Sequence, residues 1–364
     1  MTEHAYIHIP FCKRKCNYCA FTSFAVQSYI PKYLEVLTEE IKNNYKNENL
    51  KTIYFGGGTP SLLSVEQIKT ILALFKYDNS TEITLEINPE TIDTEYLKAL
   101  KNETSINRLS IGVQTFDNKK LKEAGRLHSA ESVFETVKQA KELGFNNISI
   151  DLIYGLPEQN IRDVEKDVEL ALSLNVQHIS IYGLKIEKGT RWAYKSPDNL
   201  PDIDEQADMY EKIVDILTKN GFKHYEISNF ALEGFESKHN LSYWRNKNYY
   251  GFGLGASGYE GKTRYTNAMT FTKYFENNSE KSYSSELTEQ EIMEEEIFLG
   301  LRCADGINLE DFNKKFKTDF NEKYGDIVTK YRQSGHFKLK GGNLFLTLNG
   351  MLISNEIFSE FIEL

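Results

Sequence analysis

Three cysteines stand within eight residues, Cys12, Cys16 and Cys19, spaced C-x3-C-x2-C. Thiolates are soft ligands that suit iron–sulfur clusters. Close spacing lets one loop wrap three corners of a cubane and leaves the fourth iron open. Lys13, Arg14 and Lys15 lie between the first two thiols and would favour thiolate over thiol. A zinc site and three unrelated buried thiols are the alternatives. Zinc knuckles usually pair C-x2-C with a distant second pair, and here only Cys303 remains, far away and alone. The spacing therefore predicts a [4Fe-4S] cluster on Cys12, Cys16 and Cys19. Cys303 ends an apolar run, residues 298–303, and is expected in the core. A second candidate is Gly56-Gly57-Gly58-Thr59-Pro60. Glycine lets the backbone approach a ligand closely. The Gly-Lys-Ser/Thr ending of a phosphate loop is missing, so a tight turn explains this motif equally well when it is taken alone.

The elements that must position these residues alternate. Residues 5–9, 52–55, 82–87, 108–113, 147–154 and 178–182 read as strands, and 29–45, 64–75, 93–100, 129–143 and 161–174 as helices. Ser64 and Gln67 form a capping-box signature, and Gly144 suits a helix C′ position. Strand–helix alternation means parallel strands with crossover helices. The expected fold class is α/β, a partial (β/α)6 barrel. Ligand sites in such barrels lie at the C-terminal ends of the strands. Those ends carry the cysteine loop, the glycine run, Glu86 with Asn88, Gln114, and Asp151. Any one of these could be a satisfied core polar group. Five polar features on one face fit a polar ligand.

Farther along, residues 204–220 read as a helix and 223–228 as a strand, before an aromatic, Gly-rich stretch at 243–265 without clear period. Helices at 288–301, 309–316 and 321–334 and a hairpin across Gly341-Gly342 resemble a winged helix. The expected division is a barrel at 1–220, a barrel-extending segment at 221–284, and a smaller C-terminal helical, winged-helix-like domain at 285–364. The net charge of −10 argues against nucleic acid as a partner. No apolar run reaches membrane-spanning length, and the N-terminus lacks signal-peptide features. Clustered thiols suit a reducing compartment, so a cytoplasmic protein is expected.

The cysteine motif resembles the hallmark of the radical S-adenosylmethionine superfamily. Its flanking words, Tyr6-Ile-His-Ile-Pro-Phe-Cys12, Gly-Gly-Gly-Thr-Pro, Ser110-Ile-Gly-Val-Gln114 and Ile150-Asp-Leu-Ile-Tyr-Gly-Leu-Pro157, are similar to the oxygen-independent coproporphyrinogen oxidase family. That likeness runs from about Tyr6 to about Tyr259 and is only general in shape beyond. Three features resemble the haem-chaperone branch: Phe21 stands where the oxidases carry a fourth Cys, their N-terminal extension is absent, and His239-Asn240-x-x-Tyr243-Trp244 matches an H-N-x-x-Y-W motif.

The resemblance implies S-adenosylmethionine on the open iron, with Gly57, Gly58 and Thr59 against its methionine part. It places Glu86, Gln114, Arg126 and Asp151 at the methionine carboxylate and ribose, and Tyr6 and Tyr18 beside the cofactor. It also implies haem binding and delivery to an acceptor protein. His239 is then an axial-ligand candidate, Tyr243, Trp244, Tyr249, Tyr250 and Phe252 offer flat faces, and Arg245 or Lys247 could meet a propionate. Peripheral association with membrane-bound haem proteins and a homodimer stay open. The alternative is an enzyme, a coproporphyrinogen III oxidase or a related radical methyltransferase. Phe21 and the absent extension count against the decarboxylase.

Overall fold

The computed structural model describes residues 1–362. Strands β1 (His4–Ile9), β2 (Asn49–Gly57), β3 (Lys76–Ile87), β4 (Arg108–Gln114), β5 (Ile148–Tyr154) and β6 (His178–Gly183) lie in sequence order and pair in parallel. The crossovers carry helices α1 (Ile30–Asn44), α2 (Val65–Leu72), α3 (Thr94–Glu103), α4 (Asn118–Ala124), α5 (Ala130–Glu142) and α6 (Ile161–Ser173). This is the partial (β/α)6 barrel expected from the alternation.

Side-chain caps fix where several of these helices begin. Ser64 accepts from Gln67 N and Gln67 answers with its own side chain, as the signature predicts. Ser129 and Asn160 cap α5 and α6 in the same way, and Asp93 and Asp117 cap α3 and α4 by accepting backbone N–H groups alone. Two elements differ from expectation. β3 starts at Lys76 because the polar residues 76–77 pair with Asn49–Leu50 across a register shift, where no alternation marks a strand. The short α4 is too brief to show a helical period.

The pleat explains the polar strand residues. One alternate set, including Ile7, Ile53, Phe55, Leu85, Leu109, Ile111, Ile150 and Ile179, is buried in the apolar core. The other set runs Tyr6 and His8 on β1, Tyr54 on β2, Glu86 on β3, Arg108, Ser110, Gly112 and Gln114 on β4, Asp151 on β5, and Ser180 and Tyr182 on β6. Successive side chains of a strand point to opposite faces, so this second set fills the barrel interior with polar groups.

After β6 come α7 (Arg191–Tyr194) and α8 (Ile203–Lys219), then a hairpin of β7 (Lys223–Glu226) and β8 (Asn229–Ala231) that adds antiparallel to β6. The stretch that lacked a period holds α9 (Lys238–Trp244), β9 (Tyr250–Phe252), which pairs in parallel with β1, and β10 (Ser257–Glu260) and β11 (Thr263–Asn267). Helix α10 (Phe271–Glu276) packs near α1, and β12 (Lys281–Glu286) completes a small sheet with β10 and β11.

The C-terminal helices α11 (Glu289–Leu301), α12 (Leu309–Phe316) and α13 (Phe320–Gln333) pack with β13 (Ile307–Asn308), β14 (Phe337–Lys340) and β15 (Asn343–Leu346), followed by α14 (Leu348–Leu352) and α15 (Ser354–Ser359). Their shared core holds Ile297, Leu301, Phe312, Phe320, Tyr324, Leu344 and Phe361. Cys303 is buried here, and burial pushes its thiol up to about 12. Among the described residues no helix is long and apolar enough to cross a membrane.

Arg302 ties this part to the barrel. Its Nη2 meets the buried Glu226 carboxylate at 3.4 Å, and its guanidinium lies 4.3 Å from the Trp244 ring centre. Glu226 is fully buried and Arg302 only partly so, and Ser228 and Asn229 still donate to the carboxylate, so Arg302→Met is expected to cost about 1–3 kcal/mol. A denaturant midpoint unchanged from wild type would show that the pair does not hold the two parts together.

Candidate functional site

A cavity of about 500 Å³ opens at the C-terminal ends of the strands and runs down into the barrel. The cysteine loop forms its upper wall. Cys12 N donates to Phe24 O at 3.0 Å and Phe24 N to Pro10 O at 2.8 Å, which closes the loop on itself. Asn17 ties the loop to α4, its N donating to Ala124 O at 2.9 Å and its side chain to Glu123 O at 2.7 Å. All three cysteines line the cavity. Thr59 Oγ1 donates to Cys12 Sγ at 3.6 Å, and Arg126 Nη1 to Cys16 Sγ at 3.8 Å. Burial pushes the Cys12 and Cys19 thiols up. Lys15 favours the Cys19 thiolate, as its sequence position suggests, but burial outweighs it. Lys13 and Lys15 also donate to the carbonyls of Glu90 and Phe21.

The glycine run is required by crowding. Gly57 has φ +109°, and a Cβ there would sit 2.5 Å from the His8 ring; one on Gly58 would sit 2.6 Å from Phe11 O. The run passes beneath the cysteine loop with no room for side chains, and Gly57, Gly58 and Thr59 all face the cavity.

Below the thiols the cavity is charged. Glu86 accepts from Tyr54 OH at 2.7 Å and from Gly57 N at 3.1 Å, and burial pushes its pKa up to about 7. Asp151, also raised by burial, accepts from Ser110 Oγ at 3.2 Å. Arg126 Nη2 donates to Asn88 Oδ1 at 2.6 Å and Gly112 O at 2.9 Å. Gln114 holds φ +65°, a region that costs a residue with a Cβ and is typical of functional sites.

The structure thus brings Cys12, Cys16, Cys19, Tyr18, Gly57, Gly58, Thr59, Glu86, Gln114, Arg126 and Asp151 to one cavity. It does not bring Tyr6 or His239 there. Tyr6 lies behind Tyr54, with ring centres 6.1 Å apart, and lines a separate hollow of about 290 Å³ with His8, Phe21 and Tyr249.

His239 departs furthest from expectation. Its ring is 1% exposed; Nδ1 is 2.7 Å from Thr52 Oγ1 and Nε2 is 2.7 Å from Tyr243 OH. Neither nitrogen is open to an iron. Glu82 receives the backbone N–H groups of Lys238 and His239, which docks the start of α9 against β3. Tyr250 and Phe252 are core residues, and Trp244 lies under Arg302, so these rings offer no free porphyrin face.

Of the His239–Trp244 motif, Asn240 lines the cavity, and other lining residues escaped the sequence reading: Arg108, Tyr54, Ser180, Tyr182 and Lys185. Arg108 is 2% exposed, and its guanidinium makes no hydrogen bond or ion pair among the described residues. The signal was the period-2 set on β4, which puts Arg108 on the same face as Gln114.

Over 98% of its length the chain is 41% identical to a protein named heme chaperone HemW in Lactococcus lactis subsp. lactis, covering 97% of that relative. The chain belongs to the HemW family. A heme chaperone HemW of Bacillus subtilis is 39% identical over 99% of both chains. Residues 6–171 match the Radical SAM superfamily and residues 287–353 the HemN C-terminal domain. The fold is shared with the solved coproporphyrinogen III oxidase (HemN) of Escherichia coli, at a TM-score of 0.87 and 22% identity, over 98% of this chain and 89% of that one.

HemW membership in the radical SAM superfamily implies a [4Fe-4S] cluster and S-adenosylmethionine, and the residues present fit both groups. The three thiols are all free. They line one cavity from a single loop, and thiolates are soft ligands suited to cluster iron. Gln114 Oε1 and Arg126 Nε are buried without partners, and buried polar atoms left unpaired are costly, so a polar ligand has bonds to complete.

Proposed function

We propose that the chain binds haem and hands it to an acceptor protein, carrying a [4Fe-4S] cluster on Cys12, Cys16 and Cys19 and an exchangeable S-adenosylmethionine in the barrel cavity. The observation that carries this reading is the near full-length identity to proteins named heme chaperones. When bound, the cluster supplies an open iron for the amino and carboxylate groups of the cofactor. Around it, Arg126 lies within 3.8 Å of the Cys16 sulfur, and Glu86 and Asp151 are the carboxylates suited to a sulfonium and a ribose. The reading supports action in the cytoplasm.

Haem titration of anaerobic, cluster-loaded protein, followed by transfer to haem-free acceptors, tests the proposal. Saturable binding and transfer are expected; no binding would overturn it. The second reading, a coproporphyrinogen III oxidase, draws on the shared fold with HemN. Conversion of coproporphyrinogen III to protoporphyrinogen by the same preparation would favour it.

Asp151→Ala is expected to weaken S-adenosylmethionine binding by about 1–3 kcal/mol, the cost of one lost buried polar contact. Isothermal titration of the cluster-loaded protein measures this, and an unchanged affinity would remove Asp151 from the site. The affinity should also depend on pH. Burial pushes the Glu86 pKa up to about 7. A cation favours the ionised form, so binding below that pH must expel the proton, and affinity falls as pH drops through it.

A further inference from the structure

Apolar side chains left in water gather with cations at the mouth of the cavity. Phe21, Leu127 and Tyr182 keep 66%, 47% and 43% of their surface exposed, and all three line that mouth. They come from separate places: the loop after Cys19, the turn after α4 and the end of β6. Isolated exposed apolar residues need no explanation, but several around one concave opening mark a binding site.

The charge there runs against the rest of the molecule. The net charge is −10, yet Arg14 and Lys185 line the mouth. Arg14 makes no hydrogen bond or ion pair among the described residues. Among the described residues Lys185 pairs only with the partly exposed Glu187, at 3.1 Å. A ligand that matches has a flat apolar body and carboxylates on one edge.

We propose that haem seats across this mouth, with the macrocycle against Phe21, Leu127 and Tyr182 and the propionates toward Arg14 and Lys185. The inference rests on the haem-carrier reading and gives the haem its place, away from α9 and directly above the cysteine loop and the Glu86–Asp151 cavity. A guanidinium meets a carboxylate bidentately, and an ammonium meets it as a point charge. Phe21 supplies the apolar contact that would be lost with a polar residue.

Haem binding is measured by Soret absorbance with the full chain, anaerobic and cluster-loaded. The proteins are wild type, Phe21→Ser and the double variant Arg14→Glu with Lys185→Glu. The probes are haem and haem dimethyl ester, which lacks the propionate charges. All three positions are exposed, so the fold does not depend on them, and iron content checks the cluster. Phe21→Ser and the double variant are each expected to weaken haem binding about tenfold or more, the equivalent of one good contact. Esterification should weaken binding to wild type by a similar factor but change little in the double variant, because groups that interact are not additive.

The seat is wrong if wild type binds haem and both variants bind it equally well. It is equally wrong if esterification costs the same in wild type and double variant. If wild type binds no haem, the haem-carrier reading itself fails, an outcome distinct from a misplaced seat.

Discussion

Replacing any one of Cys12, Cys16 and Cys19 with Ser is expected to abolish the iron–sulfur cluster, while Cys303→Ser leaves it intact. Each motif thiol lines the same cavity, and a serine oxygen is a hard donor poorly matched to cluster iron. Nothing nearby could replace a lost thiol. The chain's remaining cysteine, Cys303, is buried beside Glu226, where its backbone bridges β7, and does not line the cavity. The Thr59 hydroxyl and the Arg126 guanidinium that approach the thiols are donors of hydrogen bonds and suit a sulfur already ionised. Iron and sulfide analysis of anaerobically reconstituted protein is the measurement, with electron paramagnetic resonance of the reduced state. About four irons per chain retained after loss of two motif cysteines would contradict a cluster held there.

The thiol spacing was legible because one short loop carries it, and no tertiary contact is needed to bring Cys12, Cys16 and Cys19 together. The same holds for the caps: Ser64 with Gln67 is a local exchange of hydrogen bonds that the sequence states outright. The strand-end residues Glu86, Gln114 and Asp151 were legible through the barrel rule, which converts strand order into a shared face. Arg108 was not, because it stands at the start of β4, far from the strand ends where ligands were sought, and only the pleat shows that it shares a face with Gln114. The surroundings of His239 were hidden for a different reason. A motif gives spacing along one helix, and His239 and Tyr243 are four apart on α9. That spacing does predict that the two side chains touch, and they do. What it cannot state is that Thr52, nearly two hundred residues earlier, takes the other ring nitrogen.

His239→Ala is expected to leave the Soret spectrum of bound haem unchanged and to destabilise the fold by about 3–5 kcal/mol, the sum of a buried cavity and an unpaired hydroxyl. Thr52 keeps His4 as a partner at 2.9 Å, but among the described residues no other hydrogen bond holds the Tyr243 hydroxyl. The ring also packs on Tyr54, with centres 5.0 Å apart, and Tyr54 in turn holds Glu86. Loss of the imidazole therefore loosens the wall of the cavity from behind. Burial holds the His239 pKa well below the usual imidazole range, so the neutral ring accepts on one nitrogen and donates on the other, as two hydroxyl partners require. His239→Gln, with one acceptor and a donor on a shorter arm, should recover part of the stability. Thermal melts beside Soret titrations separate the alternatives. A shifted Soret band with an unshifted melting midpoint would make His239 a haem ligand and remove it as the support behind Tyr54. A lowered midpoint with an unmoved band fixes its work as holding α9 to β2 beneath the cofactor cavity.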